Sequence, residues 1–261
     1  NDKVGEHGIT ELSTGNYLVR SLAWDNGSET DAGAVTFGNG MTGVSGVVSG
    51  VNSLVGSSDN DKVGEYGITE LSTGNYVVRS PFWDNGSEAE AGAVTFGNGT
   101  TGVSGVVSAA NSLVGSNSSS YVGFHGVTAL TNGNYVVISA SWSNGSFFSV
   151  GAVTFGDGNT GVSGVVSDAN SLVGSKLSDN VGIGGVTALA NGNYVVNSYA
   201  WENGAVANAG AVTFGNGMTG VSGVVSATNS LVGSTANDKV GEHGITELST
   251  GNYLVRSPFW D

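Results

Sequence analysis

The residues best suited to chemistry form one recurring corner. Trp24-Asp25-Asn26-Gly27 sets a flat apolar ring beside a carboxylate, an amide and a turn glycine. Such a group suits a sugar, whose apolar face lies on the ring while its hydroxyls bond the polar groups. The corner recurs as Trp83/Asp84/Asn85 and, varied, as Trp142/Ser143/Asn144 and Trp201/Glu202/Asn203. Several copies would bind glycans with avidity. The competing reading is that tryptophan packs between repeats and Asp-Asn-Gly makes a turn. Exposure of the indoles separates the two.

Other chemistry is sparse. His7, His125 and His243 share one repeat position, which Tyr66 and Gly184 fill elsewhere. A position that accepts tyrosine and glycine does not carry a catalytic base, and the same replacements break a symmetric metal set. The carboxylates Glu6 and Glu11 become Phe124 and Ala129 in the third repeat. There is no GxSxG elbow, phosphate-binding P-loop or HExxH. Gly38-Asn39-Gly40-Met41-Thr42-Gly43 lacks the lysine and helix of a phosphate loop and reads as a turn. The chain has no cysteine, so thiol nucleophiles and Cys-ligated zinc are excluded. No enzyme is expected. Asn26, Asn85, Asn98, Asn117 and Asn144 fall in glycosylation sequons, which turns this rich in Asn-Gly-Ser produce by chance.

The net charge is −14, with only 7 lysines and arginines. Nucleic acid and anionic membrane both need clustered basic residues, so neither is an expected partner. The acids are uneven: seven and six in the first two repeats, two in each of the next two. No apolar run reaches the ~20 residues that span a membrane, so no insertion is expected. No leader segment is read, which suggests a mature or excised segment. The expected location is secreted or on a bacterial cell surface.

What positions these residues is a period. Trp24, Trp83, Trp142, Trp201 and Trp260 are 59 apart, as are Val4, Val63, Val122, Val181 and Val240. The chain divides into 1–59, 60–118, 119–177, 178–236 and a partial fifth unit, 237–261. A fixed period with no insertion marks a repeat architecture, in which each unit buries its apolar face against its neighbours. One unit is marginal alone, so 1–261 reads as a single repeat domain. The last unit could be a cut from a longer array, complete a ring, or pair with a second chain.

Within the second block, Val63–Leu71 reads as a strand and Ser72–Asn75 as a turn. Tyr76–Trp83 is a second strand, Asp84-Asn85-Gly86 a turn, Ala91–Phe96 a third strand and Asn111–Gly115 a short fourth. Nothing has helical periodicity. The expected fold is all-β, with β-propeller-like four-stranded antiparallel blades of 59 residues. A β-solenoid of parallel rungs is the alternative. In the first hairpin a tip at Thr14-Gly15 sets Leu12 opposite Tyr17 and Glu11 opposite Leu18. Arg20 then lies diagonal to Glu11 as an ion pair. Glu70/Arg79 and Glu247/Arg256 repeat that pair, while Ala129/Ile138 and Ala188/Asn197 lose both members. Gly5 and Gly8, with Gly64, Gly67, Gly123, Gly126, Gly182 and Gly185, suit crowding of inner strands round an axis, or bulges.

On these residues the unit resembles the FG-GAP repeat of integrin-type β-propellers. Val63-Gly64 stands at the Phe-Gly position, and Ser80-Pro81 and Ser257-Pro258 near the Gly-Ala-Pro position. Ala91–Phe96 matches the third strand and Leu113–Ser116 the fourth. The resemblance implies a propeller and would bring calcium as the one cofactor. Calcium takes six to eight oxygens with carboxylates among them. The loops Ser13–Asn16 and Thr131–Asn134 have none, so no calcium site is expected there. The array also resembles those of giant filamentous-haemagglutinin-like bacterial surface proteins. Together these readings predict a structural or adhesive segment that associates with itself or with neighbouring repeats. A multivalent lectin is the alternative.

Overall fold

The computed structural model describes residues 2–261; residue 1, which opens the 1–59 block, lies outside them. Every regular element among the described residues is a strand. The chain forms two compact units. One takes the residues up to Phe124 together with Gly158–Val165, the other His125–Asp157 with Val166–Asp261.

In the first unit, repeat 1 folds as Ile9–Glu11, Tyr17–Ser21, Ala34–Gly38 and Ser53–Val55. These run antiparallel in chain order, with Ile9 opposite Val19, Tyr17 opposite Gly38 and Ala34 opposite Val55. Repeat 2 does the same with Ile68–Glu70, Tyr76–Ser80, Ala93–Gly97 and Ser112–Val114. In the second unit Val127–Ala129, Tyr135–Ser139, Ala152–Gly156 and Ser171–Val173 form one such sheet. Val186–Ala188, Tyr194–Ser198, Ala211–Gly215 and Ser230–Val232 form the next. The partial repeat adds the hairpin Ile245–Glu247/Tyr253–Val255. The expected all-β repeat of four antiparallel strands is therefore present.

A fifth strand escapes sequence reading. Gly105–Val106 of repeat 2 lies parallel to the fourth strand of repeat 1, with Leu54 opposite Gly105. Gly164–Val165 covers Ser112–Val114 in the same way, and Gly223–Val224 covers Ser171–Val173. Antiparallel pairing inside a repeat thus alternates with a short parallel step between repeats, the element the solenoid alternative is made of. Among the described residues no sheet closes into a barrel.

The first hairpin corrects the expected register by one residue. Leu12 donates to Asn16 O at 2.8 Å and Gly15 donates back to Leu12 O, with Gly15 at φ +80°. This is a three-residue loop whose last residue is left-handed. It places Glu11 opposite Tyr17, not Leu18. A one-residue slip moves a side chain to the other face of the sheet, so Glu11 and Arg20 point apart and form no pair. Arg20 and the later equivalents of Glu11 instead join a neighbouring repeat. Glu70 Oε1 accepts the Ser13 N–H at 2.6 Å, and Glu247 Oε1 accepts that of Ala190. Arg20 Nη1 donates to Gly64 O, a role that Asn197 takes by donating to Gly241 O at 2.7 Å.

The first and second strands are also shorter than expected. Val63–Tyr66 is a turn, and the second strand stops at Ser80, leaving Phe82 and Trp83 beyond it. Gly64 and Gly67 have φ near +86° and +87°. A Cβ on Gly64 would lie 2.5 Å from Val35 Cγ2 of the preceding repeat. Crowding at that position is real, but its source is the neighbour's third strand.

The core lies between repeats. Leu12, Leu18, Val35 and Leu54 of repeat 1 cluster with Val63, Tyr76, Val78, Trp83 and Val114 of repeat 2. In the second unit Leu130, Val136, Val153 and Leu172 meet Val181, Tyr194, Val196 and Trp201. Backbone bonds fasten the same junction. Lys62 and Val63 donate to Asp31 and Ala32 O, and Lys239 and Val240 donate to Asn208 and Ala209 O, all at 3.0 to 3.1 Å. The approach is close enough that a Cβ on Gly33 would stand 2.4 Å from Val63 N, and Gly33 has φ +76°. Asparagine side chains add a further link. Asn16 Oδ1 accepts the Gly40 N–H of its own repeat while its Nδ2 donates to Gly99 O of the next at 2.8 Å.

Candidate functional site: the corner at the repeat junction

The tryptophan corner lies just past the second strand, where Trp83 N donates to Ser80 O and Trp83 O accepts Gly92 N–H. Four of the five indoles are buried: Trp24 is 7 % exposed, Trp83 3 %, Trp142 4 % and Trp201 4 %. Trp24 packs on Ala34, Val48 and Val55, and Trp83 and Trp201 lie in the two inter-repeat clusters. Nε1 of Trp83, Trp142 and Trp201 is buried without a hydrogen-bond partner. Only Trp260, in the partial repeat, is half exposed. The buried rings offer no face to a sugar.

The polar members of the corner bond internally. Asp25 Oδ1 accepts the Asp31 N–H at 3.0 Å, Asp84 Oδ1 that of Glu90 at 2.8 Å, and Ser143 Oγ that of Ser149. Asn26, Asn85 and Asn203 donate Nδ2 to Gly56, Gly115 and Gly233 O at 2.8 to 2.9 Å, tying the corner to the end of the fourth strand. Asn144 differs and accepts the Ser146 and Phe147 N–H groups through Oδ1. Glu202 is longer than aspartate and reaches Lys176 Nζ at 3.8 Å.

Beneath the corner sits a residue that sequence reading missed. Asp61 is fully buried and accepts three backbone bonds. Ser57 and Ser58 donate to Oδ2 at 2.7 and 2.9 Å, and Asp84 N donates to Oδ1 at 2.8 Å. One carboxylate thus fixes the end of repeat 1, the start of repeat 2 and the corner of repeat 2. Asp179 and Asp238 repeat the arrangement. The one available signal was the block position itself, Asp2, Asp61, Ser120, Asp179 and Asp238. Burial raises Asp61 to about 6, against the lowering pull of its three N–H bonds, and repulsion from Asp84 adds to the rise. Asp179 is raised for the same first reason. Asp238 moves the other way, to about 2, because bonds from the Thr235 hydroxyl and backbone outweigh desolvation in the incomplete repeat.

Beside the corner of repeat 2 is a cleft of about 390 Å³, lined by Phe82, Asp84, Glu90, Asp59, Asn60, Lys62 and Ala89. The partial repeat has its counterpart at Phe259 and Asp261. Next to the first cleft, Tyr66, Phe82, Tyr121 and Phe124 form a ring cluster with centroids 5.0 to 6.4 Å apart. Tyr121 donates its hydroxyl to Glu90 at 2.5 Å. Arg79 stands over Tyr66 at 5.8 Å. Repeat 1 has His7, Ala23, Lys3 and Glu6 at those four positions, so the cluster belongs to one junction. The histidines do not converge: His7 faces Glu6 at 3.6 Å and His243 packs on Phe259. Among the described residues no three His, Asp or Glu side chains gather as metal ligands.

A family model described as a repeat of unknown function (DUF5650) matches residues 11–65, 70–124, 129–183, 188–242 and 247–261. The chain belongs to that family. Its frame starts inside the first strand of the blocks used above and advances by the same 59 residues. Neither an integrin-type nor a haemagglutinin-like family is identified. No curated protein matches.

Proposed function

We propose that this chain is a non-enzymatic segment of a repeat array on a secreted or cell-surface protein of bacterial type, serving as a structural or adhesive stalk. Each 59-residue unit acts as a propeller-like blade fastened to the next. The observation that carries this is the placement of the tryptophans: four are buried, Trp83 and Trp201 in the contact between repeats, and the polar groups around them are consumed by backbone bonds. Such a chain gains strength by addition, because stability in a repeat array is a sum of unit and nearest-neighbour terms. Antibody against this chain is expected to label intact cells of its source, and deletion of the repeats is expected to weaken adhesion. Labelling that needs cell lysis overturns the surface assignment.

The cleft at Phe82 favours a second reading, a lectin whose platform is phenylalanine in place of tryptophan. Its aromatic wall and carboxylates have the make-up of a sugar site. A glycan array probed with this chain and with Phe82→Ala separates the readings: binding lost in the variant supports the lectin, and an array without signal removes it.

A further inference from the structure

Asn-Gly occurs nine times in the chain. In this dipeptide the glycine nitrogen can attack the side-chain carbon of the asparagine, because glycine has no Cβ to hinder the approach. Two conditions apply. The glycine N–H must be free to lose its proton, and the asparagine amide must be free to turn toward it. Among the described residues the fold withholds one condition from eight of the nine pairs. In five the N–H is held. Gly40, Gly99 and Gly217 donate to Oδ1 of Asn16, Asn75 and Asn193 at 2.9 to 3.0 Å. Gly133 and Gly192 donate to Leu130 and Leu189 O at 3.1 and 3.0 Å. In three the amide is held, since Asn26, Asn85 and Asn203 each donate Nδ2 to the end of the fourth strand. Five and three leave one pair, Asn144-Gly145.

Both residues of that pair are exposed. Among the described residues neither the Gly145 N–H nor Asn144 Nδ2 makes a hydrogen bond. The corner of repeat 3 is also bonded differently from the others. Glu29, Glu88 and Val206 return their N–H to the backbone oxygen of Asn26, Asn85 and Asn203. Phe147 gives its N–H to the side-chain oxygen of Asn144 instead, at 2.9 Å, and Ser146 adds a second at 3.0 Å. Attack at Asn144 Cγ puts negative charge on that oxygen, where two N–H groups already point at it and stabilise it.

We propose that Asn144 is a site of spontaneous covalent modification, selected from the nine pairs because its amide and the following N–H are both unheld. Hydroxide removes the Gly145 amide proton. The nitrogen bonds to Asn144 Cγ, and the charge passes to Oδ1 between the Ser146 and Phe147 N–H groups. The side-chain nitrogen takes a proton from water and leaves as ammonia, closing a five-membered imide. Water then opens the ring at either carbonyl. One opening leaves an aspartate. The other leaves an isoaspartate, whose main chain runs through the side-chain carbon. In sum one water enters and one ammonia leaves, and nothing is oxidised or reduced. The product brings a carboxylate to a repeat with only two acids. The isoaspartate also lengthens the main chain just before Phe147 and Phe148, which are 45 % and 69 % exposed. The site depends on neither the array nor the lectin reading.

Incubation of the folded chain between pH 7 and pH 9 tests this, followed by peptide mapping by mass spectrometry at each Asn-Gly pair. A methyltransferase specific for isoaspartate reads the second product. Asn144 is expected to convert at least about fivefold faster than each of the other eight, which must first break a hydrogen bond. Both products are expected, at a rate that climbs with pH. In urea the nine rates are expected to converge, since the bonds that hold the other eight are gone. Asn216 is the close comparison: it is exposed, and its Oδ1 accepts the Met218 and Thr219 N–H groups. Asn193→Ala releases the Gly217 N–H and is expected to speed Asn216 about fivefold, with circular dichroism to check that the variant folds. A folded parent in which Asn144 converts no faster than Asn203 or Asn216 overturns the proposal. So does aspartate as the sole product, which marks direct hydrolysis without a ring, and so does an Asn216 that stays slow in the folded variant.

Discussion

Asn75 and Gly158 stand 83 residues apart and are joined by one bond, from Asn75 Nδ2 to Gly158 O at 2.8 Å. The same amide accepts the Gly99 N–H through Oδ1 at 2.9 Å. A single side chain therefore holds the Gly97-Asn98-Gly99 loop of its own repeat and reaches Gly156-Asp157-Gly158 of the next. This is the pattern of the whole molecule: a contact inside a repeat is completed by one beyond it.

Replacing Asn75 by alanine takes the side-chain acceptor from the Gly99 N–H and removes one of two side-chain bonds to Gly158 O, which keeps that of Thr73. The expected loss is about 1–3 kcal/mol in denaturant unfolding. Ser72→Ala, at an exposed position, is the comparison and is expected to stay within about 0.5 kcal/mol of the parent.

Trp83→Ala and Trp201→Ala each empty the core between two repeats and are expected to cost about 3–5 kcal/mol. Trp260→Ala, in a half-exposed ring, is expected to cost far less. Fluorescence gives an independent check. Acrylamide is expected to quench a small fraction of the emission, carried by Trp260, and that fraction is expected to vanish in the Trp260→Ala chain.

The buried aspartate sets a pH dependence. Below its ordinary value of 3.8 Asp61 is protonated both folded and unfolded. Between 3.8 and about 6 the folded state keeps a proton that the unfolded state has released. Stability contributed by Asp61 therefore falls as pH rises through that window and is level above it. Asp179 acts in the same direction. Asp238 acts oppositely between 3.8 and about 2, where its stabilisation is lost on acidification. Thermal unfolding from pH 3 to pH 8 checks the sign. Asp61→Asn is expected to flatten the fall between pH 4 and 6 while lowering stability, since its amide presents a donor to backbone N–H groups.

Two glycines with positive φ separate backbone strain from crowding. Gly86 has φ +64° and open space around it, so Gly86→Ala carries only the left-handed penalty of about 1–2 kcal/mol. Gly92 has φ +79°, and its new Cβ would meet Val122 N at 2.2 Å. Gly92→Ala is expected to exceed Gly86→Ala by about 1–3 kcal/mol, the cost of overpacking, in urea unfolding of the two chains.

The period and the strand order were legible because they are local: Trp24 to Trp83 is a spacing, and Tyr76–Ser80 is a β-branched run. The register was not, because one left-handed residue, Gly15, lengthens the hairpin loop and turns Glu11 to the other face. The joint loss of Glu and Arg in two repeats did not report contact between them: Glu70 bonds the repeat before it, Arg20 the repeat after it. The Gly105–Val106 strand was invisible because it is two residues long and its partner lies in another repeat. Asp61 was hidden for a similar reason, since its partners Ser57, Ser58 and Asp84 lie on either side of a repeat boundary. The corners were found, but whether an indole faces solvent depends on the repeat packed against it.

The junction bonds recur at a constant stride, from Asp31 to Lys62 and from Asn208 to Lys239. A gene encoding such an array can therefore gain or lose 59 codons by unequal recombination, wherever the crossover falls, and every surviving boundary stays chemically intact. Length becomes a freely heritable trait, one that a lineage can adjust within a few generations without inventing a new interface.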